Sequence, residues 1–244
     1  MCRHLAYLGP PVPLAAVLFD PPHALAHQAW APRDMRGGGT INADGFGVGW
    51  FAGDQPIRYR SAMPIWSDAA LPGLAATTAS GAILAAVRSA TVGMPVVETA
   101  AAPFLDGSWL LSHNGVVRGF PASFAGLAAE LPVEELLTLE APTDSAAVAR
   151  YIGHWLRAGK PAEEVIATLV AGVRGTAPDS RLNLLLTDGD RIVATTAGHS
   201  LAVRATGDAV LVASEPLDDD PAWTPVPDNR LLIATPTDVT LGEL

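Results

Sequence analysis

The order of patterns along these 244 residues predicts an α+β fold in which helices are layered on antiparallel sheets. Three observations carry it: period-two runs in the first half, two amphipathic helical stretches in the middle, and hairpin-linked β runs in the last third. The hydrophobic set makes up 49% of the chain and charged residues 16%, a globular composition with enough apolar side chains for a sizeable core. We read one domain over 1–244, with no internal repeat and no linker.

Residues 2–8 read as a short strand. Prolines from Pro10 to Pro32 and the RGGGT run at 36–40 then predict loop, the latter flexible. In GFGVGWF, 45–51, Gly45, Gly47 and Gly49 alternate with Phe46, Val48 and Trp50. That is a strand with one face stripped to backbone, which another segment or a ligand can approach closely. A helix is expected over Ser67–Thr78, and strands over 83–90 and 109–115. TDSAAVARYIGHWLRAG, 143–159, has Thr or Asp capping residues before an amphipathic run and a glycine after it. A second helix fits 161–174. RLNLLLTDGDRIVATTAG forms a hairpin about Asp188-Gly189. Further strands fit 201–206, 209–214 and 230–235, and the Pro-rich 216–230 segment reads as a surface excursion.

Fifteen Lys and Arg against 25 Asp and Glu give a formal charge of −10, so no basic stripe tracks phosphates and nucleic acid is not expected as a partner. No apolar run reaches the roughly 20 residues of a spanning helix, and the N-terminus lacks the order of a secretory signal. A cytoplasmic protein with no membrane association is expected.

The only cysteine stands at position 2. Removal of the initiator methionine, favoured by a small second residue, would make Cys2 the amino terminus. Its thiol and its α-amine, with reference pKa values of about 8.5 and about 7.7–8.0, would then lie a few bonds apart, a nucleophile and a base in one residue. The other reading is a small apolar residue in an N-terminal strand with Met1 retained.

Acyl transfer also requires oxyanion donors, and SHNG at 112–115 offers the Asn114 amide and the Gly115 N–H; the alternative is an ordinary Asn-Gly turn. Arg88, at the end of an apolar strand, could grip a carboxylate or close a structural ion pair. Asp144 could meet an ammonium or cap a helix. His113 and His4 flank these residues; His113 is retained as a substrate-binding candidate beside its reading as a buried, hydrogen-bonded histidine. His23 and His27, four apart, read as a solvated helix face in preference to metal ligands. GFGVGW lacks dinucleotide spacing and RGGGT lacks a P-loop ending.

Together Cys2, NADGFGVGW (42–50), RSATVG (88–93), Pro103-Phe104, SHNG (112–115) and TDS (143–145) resemble the class II glutamine amidotransferases, which are N-terminal-nucleophile hydrolases. The resemblance implies a four-layer αββα sandwich of two antiparallel sheets flanked by helices. It also implies Cys2 as nucleophile with its own amine as base, Asn114 and Gly115 as the oxyanion hole, and Arg88 and Asp144 on the α-carboxylate and α-ammonium of a glutamyl group. No metal or organic cofactor is implied. Many members carry a histidine before the Pro-Phe pair, where this chain has Ala102.

MCRHLAYLG, RSATVGMPVVETAAAPF and ASEPLDDDPAWTPVP further resemble the γ-glutamyl amidases of ergothioneine biosynthesis, over nearly the whole chain. They imply a small-molecule substrate, γ-glutamyl-hercynylcysteine sulfoxide, with a cationic leaving group that suits an acidic protein. Alternatives are a glutaminase subunit feeding ammonia to a synthase, and a non-enzymatic binding protein retaining Met1. Arg3, His4 and the 30–40 loop are candidate contacts for the leaving group.

Overall fold

A computed structural model describes residues 2–34, 36 and 41–244; the flexible-loop expectation at 37–40 lies outside them. In chain order the strands are β1 (Arg3–Pro13), β2 (Phe46–Ala52), β3 (Gln55–Ser61), β4 (Ala79–Val87), β5 (Phe104–Asp106), β6 (Trp109–Val116), β7 (Arg181–Thr187), β8 (Ile192–Thr196), β9 (Ala202–Ala205), β10 (Val210–Ala213), β11 (Thr224–Pro225), β12 (Arg230–Thr235) and β13 (Asp238–Glu243). The helices are α1 (Ala15–Leu18), α2 (Leu25–Gln28), α3 (Leu71–Thr77), α4 (Ala125–Ala128), α5 (Val133–Leu137), α6 (Asp144–Arg157) and α7 (Ala162–Thr176).

The strands form two sheets, β11-β9-β10-β1-β4-β2-β3 and β13-β12-β8-β7-β6-β5, in which every pairing is antiparallel. Alternation sorts each strand's side chains into two layers. Leu8, Leu84, Leu110 and Leu185 meet between the sheets. Leu5, Phe46 and Ile83 turn outward to Leu14, Leu25 and Leu71 of the α1–α3 side. Leu111, Leu184 and Leu186 turn outward to Ile152 of α6 and Ile166 and Val170 of α7. The result is the αββα sandwich, and each fully buried Leu or Ile contributes about 1.5–3 kcal/mol.

The glycine stripe of β2 serves this sandwich. A Cβ on Gly47 would strike the Ala102 carbonyl, and one on Gly49 would lie 2.8 Å from Leu110 Cδ1, so the stripped face admits the other sheet. β1 is longer than expected because it runs on through Pro10, Pro11 and Pro13. Its pairing with β10 ends at Leu8 and its register with β4 shifts between Leu8 and Val12, where missing N–H groups are tolerated. α6 is capped by Thr143, whose side chain accepts from Ala146 N–H, and ends before Gly159 at φ 80°. The 216–230 segment is more than an excursion: Leu217 and Trp223 are buried, and Trp223 Nε1 donates to Asp218 at 2.8 Å.

Candidate active site

β1 lies between β10 and β4, and its register, Arg3 opposite Val87, carried one step outward sets Cys2 beside Arg88. Alternation from Ala6 and Leu8 turns His4 and Cys2 toward the inter-sheet space, and alternation from Ala82, Leu84 and Ala86 does the same for Arg88. Cys2 is half-buried, and its Sγ lies 3.7 Å from the Ser89 carbonyl. Arg88 Nη1 donates to the carbonyls of Pro95 (3.0 Å) and Asp44 (3.4 Å). Its Nε and Nη2 make no hydrogen bond among the described residues, which leaves that edge of the fork for a carboxylate.

The opposing sheet brings Asn114 on β6. It shares the inward face with Leu110 and Ser112, is 1% exposed, and neither side-chain polar atom has a partner among the described residues. An amide buried in that state costs stability unless a ligand completes it. Gly115 follows; a Cβ there would collide with the Arg181 carbonyl, so only glycine fits. Just beyond, Asp144 Oδ2 accepts from Val117 N–H (2.9 Å) and Oδ1 from Ser145 N–H (2.8 Å). Because Thr143 takes the cap, each Asp144 oxygen spends one hydrogen bond on backbone and retains capacity for an ammonium.

His113 does not join this group. It sits on the outer face of β6, where Nε2 lies 3.0 Å from the Arg181 carbonyl and Nδ1 3.0 Å from Ser145 Oγ. The carbonyl can only accept, so Nε2 carries the proton and Nδ1 accepts from Ser145; both nitrogens are spent. His113 braces β6, β7 and α6, and its assignment as a substrate-binding residue is corrected here.

Two clusters flanking Cys2 were not anticipated. In the first, Arg3 is 1% exposed; Nε meets Glu215 Oε1 at 2.7 Å, Nη1 donates to the Cys2 carbonyl at 3.1 Å, and Nη2 donates to the Asp34 carbonyl. Glu215 also holds His23 Nε2 (2.7 Å), Arg33 N–H (2.8 Å) and Asp34 N–H (3.2 Å). Burial would raise the Glu215 pKa, but the His23 hydrogen bond, the Arg33 and Asp34 N–H groups and the Arg3 charge bring it down to about 2. His23 is therefore buried in an ion-pair network and not on a solvated face.

In the second cluster, His4 donates its backbone N–H to Ser214 Oγ and sets Nδ1 3.0 Å from Ser112 Oγ, with no partner for Nε2 among the described residues. His199, in the β8–β9 connection, is 2% exposed, and neither ring nitrogen has a partner among the described residues. Burial first, then neighbouring positive groups, holds each histidine at a pKa of about 3, so both are neutral at physiological pH.

A half-buried cysteine at the head of a central strand, facing an Asn-Gly pair across two helix-covered antiparallel sheets, defines an N-terminal-nucleophile amidohydrolase scaffold. A family model described as glutamine amidotransferases class-II matches residues 14–206, and the chain belongs to that family. It is 43% identical, over 100% of its own length and 97% of the relative's, to a Mycobacterium tuberculosis protein named gamma-glutamyl-hercynylcysteine sulfoxide hydrolase. Among solved structures it resembles a glutamine aminotransferase class-II domain protein from Silicibacter pomeroyi (TM-score 0.68, 25% identity, 99% of both chains). It shares its fold with the phosphoribosylpyrophosphate amidotransferase of Bacillus subtilis (TM-score 0.67, 14% identity, 99% of this chain and 49% of that one).

Proposed function

We propose that this protein hydrolyses the γ-glutamyl amide bond of γ-glutamyl-hercynylcysteine sulfoxide, releasing glutamate and hercynylcysteine sulfoxide through a thioester on Cys2. The observation that carries the substrate is the full-length 43% identity to the mycobacterial hydrolase of that name. After Met1 is removed, the Cys2 α-amine takes the thiol proton as Sγ attacks the γ-carbonyl carbon. The oxyanion is met by Asn114 Nδ2 and Gly115 N–H, and Arg88 and Asp144 hold the glutamyl head. The amine returns a proton to the leaving nitrogen as the C–N bond breaks; water then cleaves the thioester and restores the thiol.

The whole chain, 1–244, acts as one domain in this reading. A nucleophilic free thiol suits a reducing compartment, which we take to be the cytoplasm; no helix among the described residues is long and apolar enough to cross a membrane. The test is product analysis with γ-glutamyl-hercynylcysteine sulfoxide and with glutamine. Stoichiometric glutamate and hercynylcysteine sulfoxide are expected; ammonia from glutamine, with the conjugate untouched, would favour an ammonia-supplying subunit.

A further inference from the structure

His199 belongs to neither the oxyanion pair nor the glutamyl grip, yet its location is tightly specified. Asn183 on β7 is the cross-strand partner of Asn114 and faces the same inter-sheet space. Its Oδ1 accepts from Ala197 N–H (2.8 Å) and His199 N–H (3.1 Å), while its Nδ2 donates to the carbonyls of His199 (3.1 Å) and Ser200 (3.3 Å). Those four bonds exhaust the Asn183 amide and fold the β8–β9 connection onto the inner face of β7 beside Asn114. The ring they place there has two buried nitrogens that no described group satisfies. Such a ring is built to receive something.

The titratable and charged groups acting on it are Arg181 from β7, Arg3 and His4 from β1, His113 from β6 and the amino terminus, with no carboxylate among them. Arg3 and His4 directly follow Cys2, so the ring lies within electrostatic reach of the head of β1. A base at the amino terminus needs such surroundings, because a carboxylate beside the α-amine would keep it protonated.

We propose that His199 is a positioning residue for the α-amine of Cys2, a role that rests on reading Cys2 as an N-terminal nucleophile. Its unprotonated ring nitrogen accepts a hydrogen bond from that amine and turns the amine lone pair toward the thiol. When the lone pair takes the Sγ proton, the ammonium keeps its hydrogen bond to the imidazole and passes a different proton to the leaving nitrogen. His199 itself gains and loses none.

The test compares wild type, His199→Phe and His199→Gln in two pH profiles: kcat/KM for γ-glutamyl-hercynylcysteine sulfoxide, and the rate of Cys2 alkylation by iodoacetamide. The phenylalanine removes the acceptor, which stabilises the ammonium more than the free amine. Both profiles should then show a lower plateau with the acid limb displaced to lower pH, and kcat should fall about tenfold or more with KM within about twofold. Glutamine, which keeps an acceptor, should recover most of both. Alkylation profiles that coincide in all three proteins, or equal losses in the two variants, would overturn the role. If the wild type turns over no γ-glutamyl substrate, the functional reading fails, and the alkylation profiles still decide the role of His199.

Discussion

Two buried polar clusters flank Cys2, and they differ in one respect that separates holding from binding. Around Glu215 each carboxylate oxygen and each Arg3 guanidinium nitrogen has a partner, with four donors on Glu215 and three acceptors on Arg3, while His23 Nδ1 has none among the described residues. On Asn114, His199 and His4, five buried nitrogen and oxygen atoms have no partner among the described residues. The first cluster ties residues 2, 3, 23, 33, 34 and 215 together and fixes the Cys2 carbonyl, fastening a terminal residue that would otherwise fray. The second is left open at a cost in stability, which the proposed contacts with substrate and α-amine would recover. Paired charges mark the holding side of Cys2, and unpartnered neutral amide and imidazole atoms mark the open side.

The sharpest way to break that contrast is to exchange the readouts. Glu215→Gln leaves the Arg3 cation buried without its counter-ion and should cost about 3–5 kcal/mol of folding stability, measured by urea titration. Asn114→Ala should leave stability within about 1 kcal/mol, since no internal hydrogen bond is lost, while kcat/KM falls by about 10²–10³, or about 2.7–4 kcal/mol in the transition state. If Asn114→Ala unfolds the protein, the distinction fails. Arg88→Lys, which replaces a planar fork by a point charge, should cost roughly 1.5–3 kcal/mol in kcat/KM, with stability little changed.

Acid separates the clusters in a predictable order. His4 and His199 have folded pKa values of about 3 against an ordinary 6.5, so between those limits the unfolded chain binds more protons and stability falls as pH falls. Each contributes a slope of up to about 1.4 kcal/mol per pH unit, beginning below about pH 6.5. Glu215, whose folded pKa of about 2 lies below its ordinary 4.5, adds its loss only from about pH 4.5 down. His199→Gln should remove one proton's worth of slope between pH 6.5 and 4.5 in urea titrations across pH; an unchanged slope would contradict the buried neutral ring. The smallest effect is expected at the α6 cap, where Thr143→Ala should cost about 1 kcal/mol in the same assay.

Much of this fold was legible because apolar periodicity follows burial. β2, β4, β6, α6, α7 and the β7–β8 hairpin carry one-sided or continuous apolar patterns, and each formed within a few residues of its expected span. β3 and β13 did not show, because QPIRYRS and DVTLGE form edge strands with few buried side chains and so carry no apolar face. Arg88, Asn114, Gly115 and Asp144 could be singled out because each sits in a short motif with a chemical rationale. Glu215 and His199 could not, since one meets Arg3 across 212 positions and the other is placed by an Asn183 side chain. His23 misled because helical spacing to His27 says nothing of a carboxylate 192 residues away.

The central claim is that Cys2, freed at the amino terminus, carries the glutamyl group, and intact mass before and after brief mixing with γ-glutamyl-hercynylcysteine sulfoxide tests it most directly. The account predicts a chain lacking Met1, a transient increase of one glutamyl group that maps to Cys2, and no such increase in Cys2→Ala. A chain that turns over the substrate with Met1 still attached, or a glutamyl group found on Cys2→Ala, would contradict it.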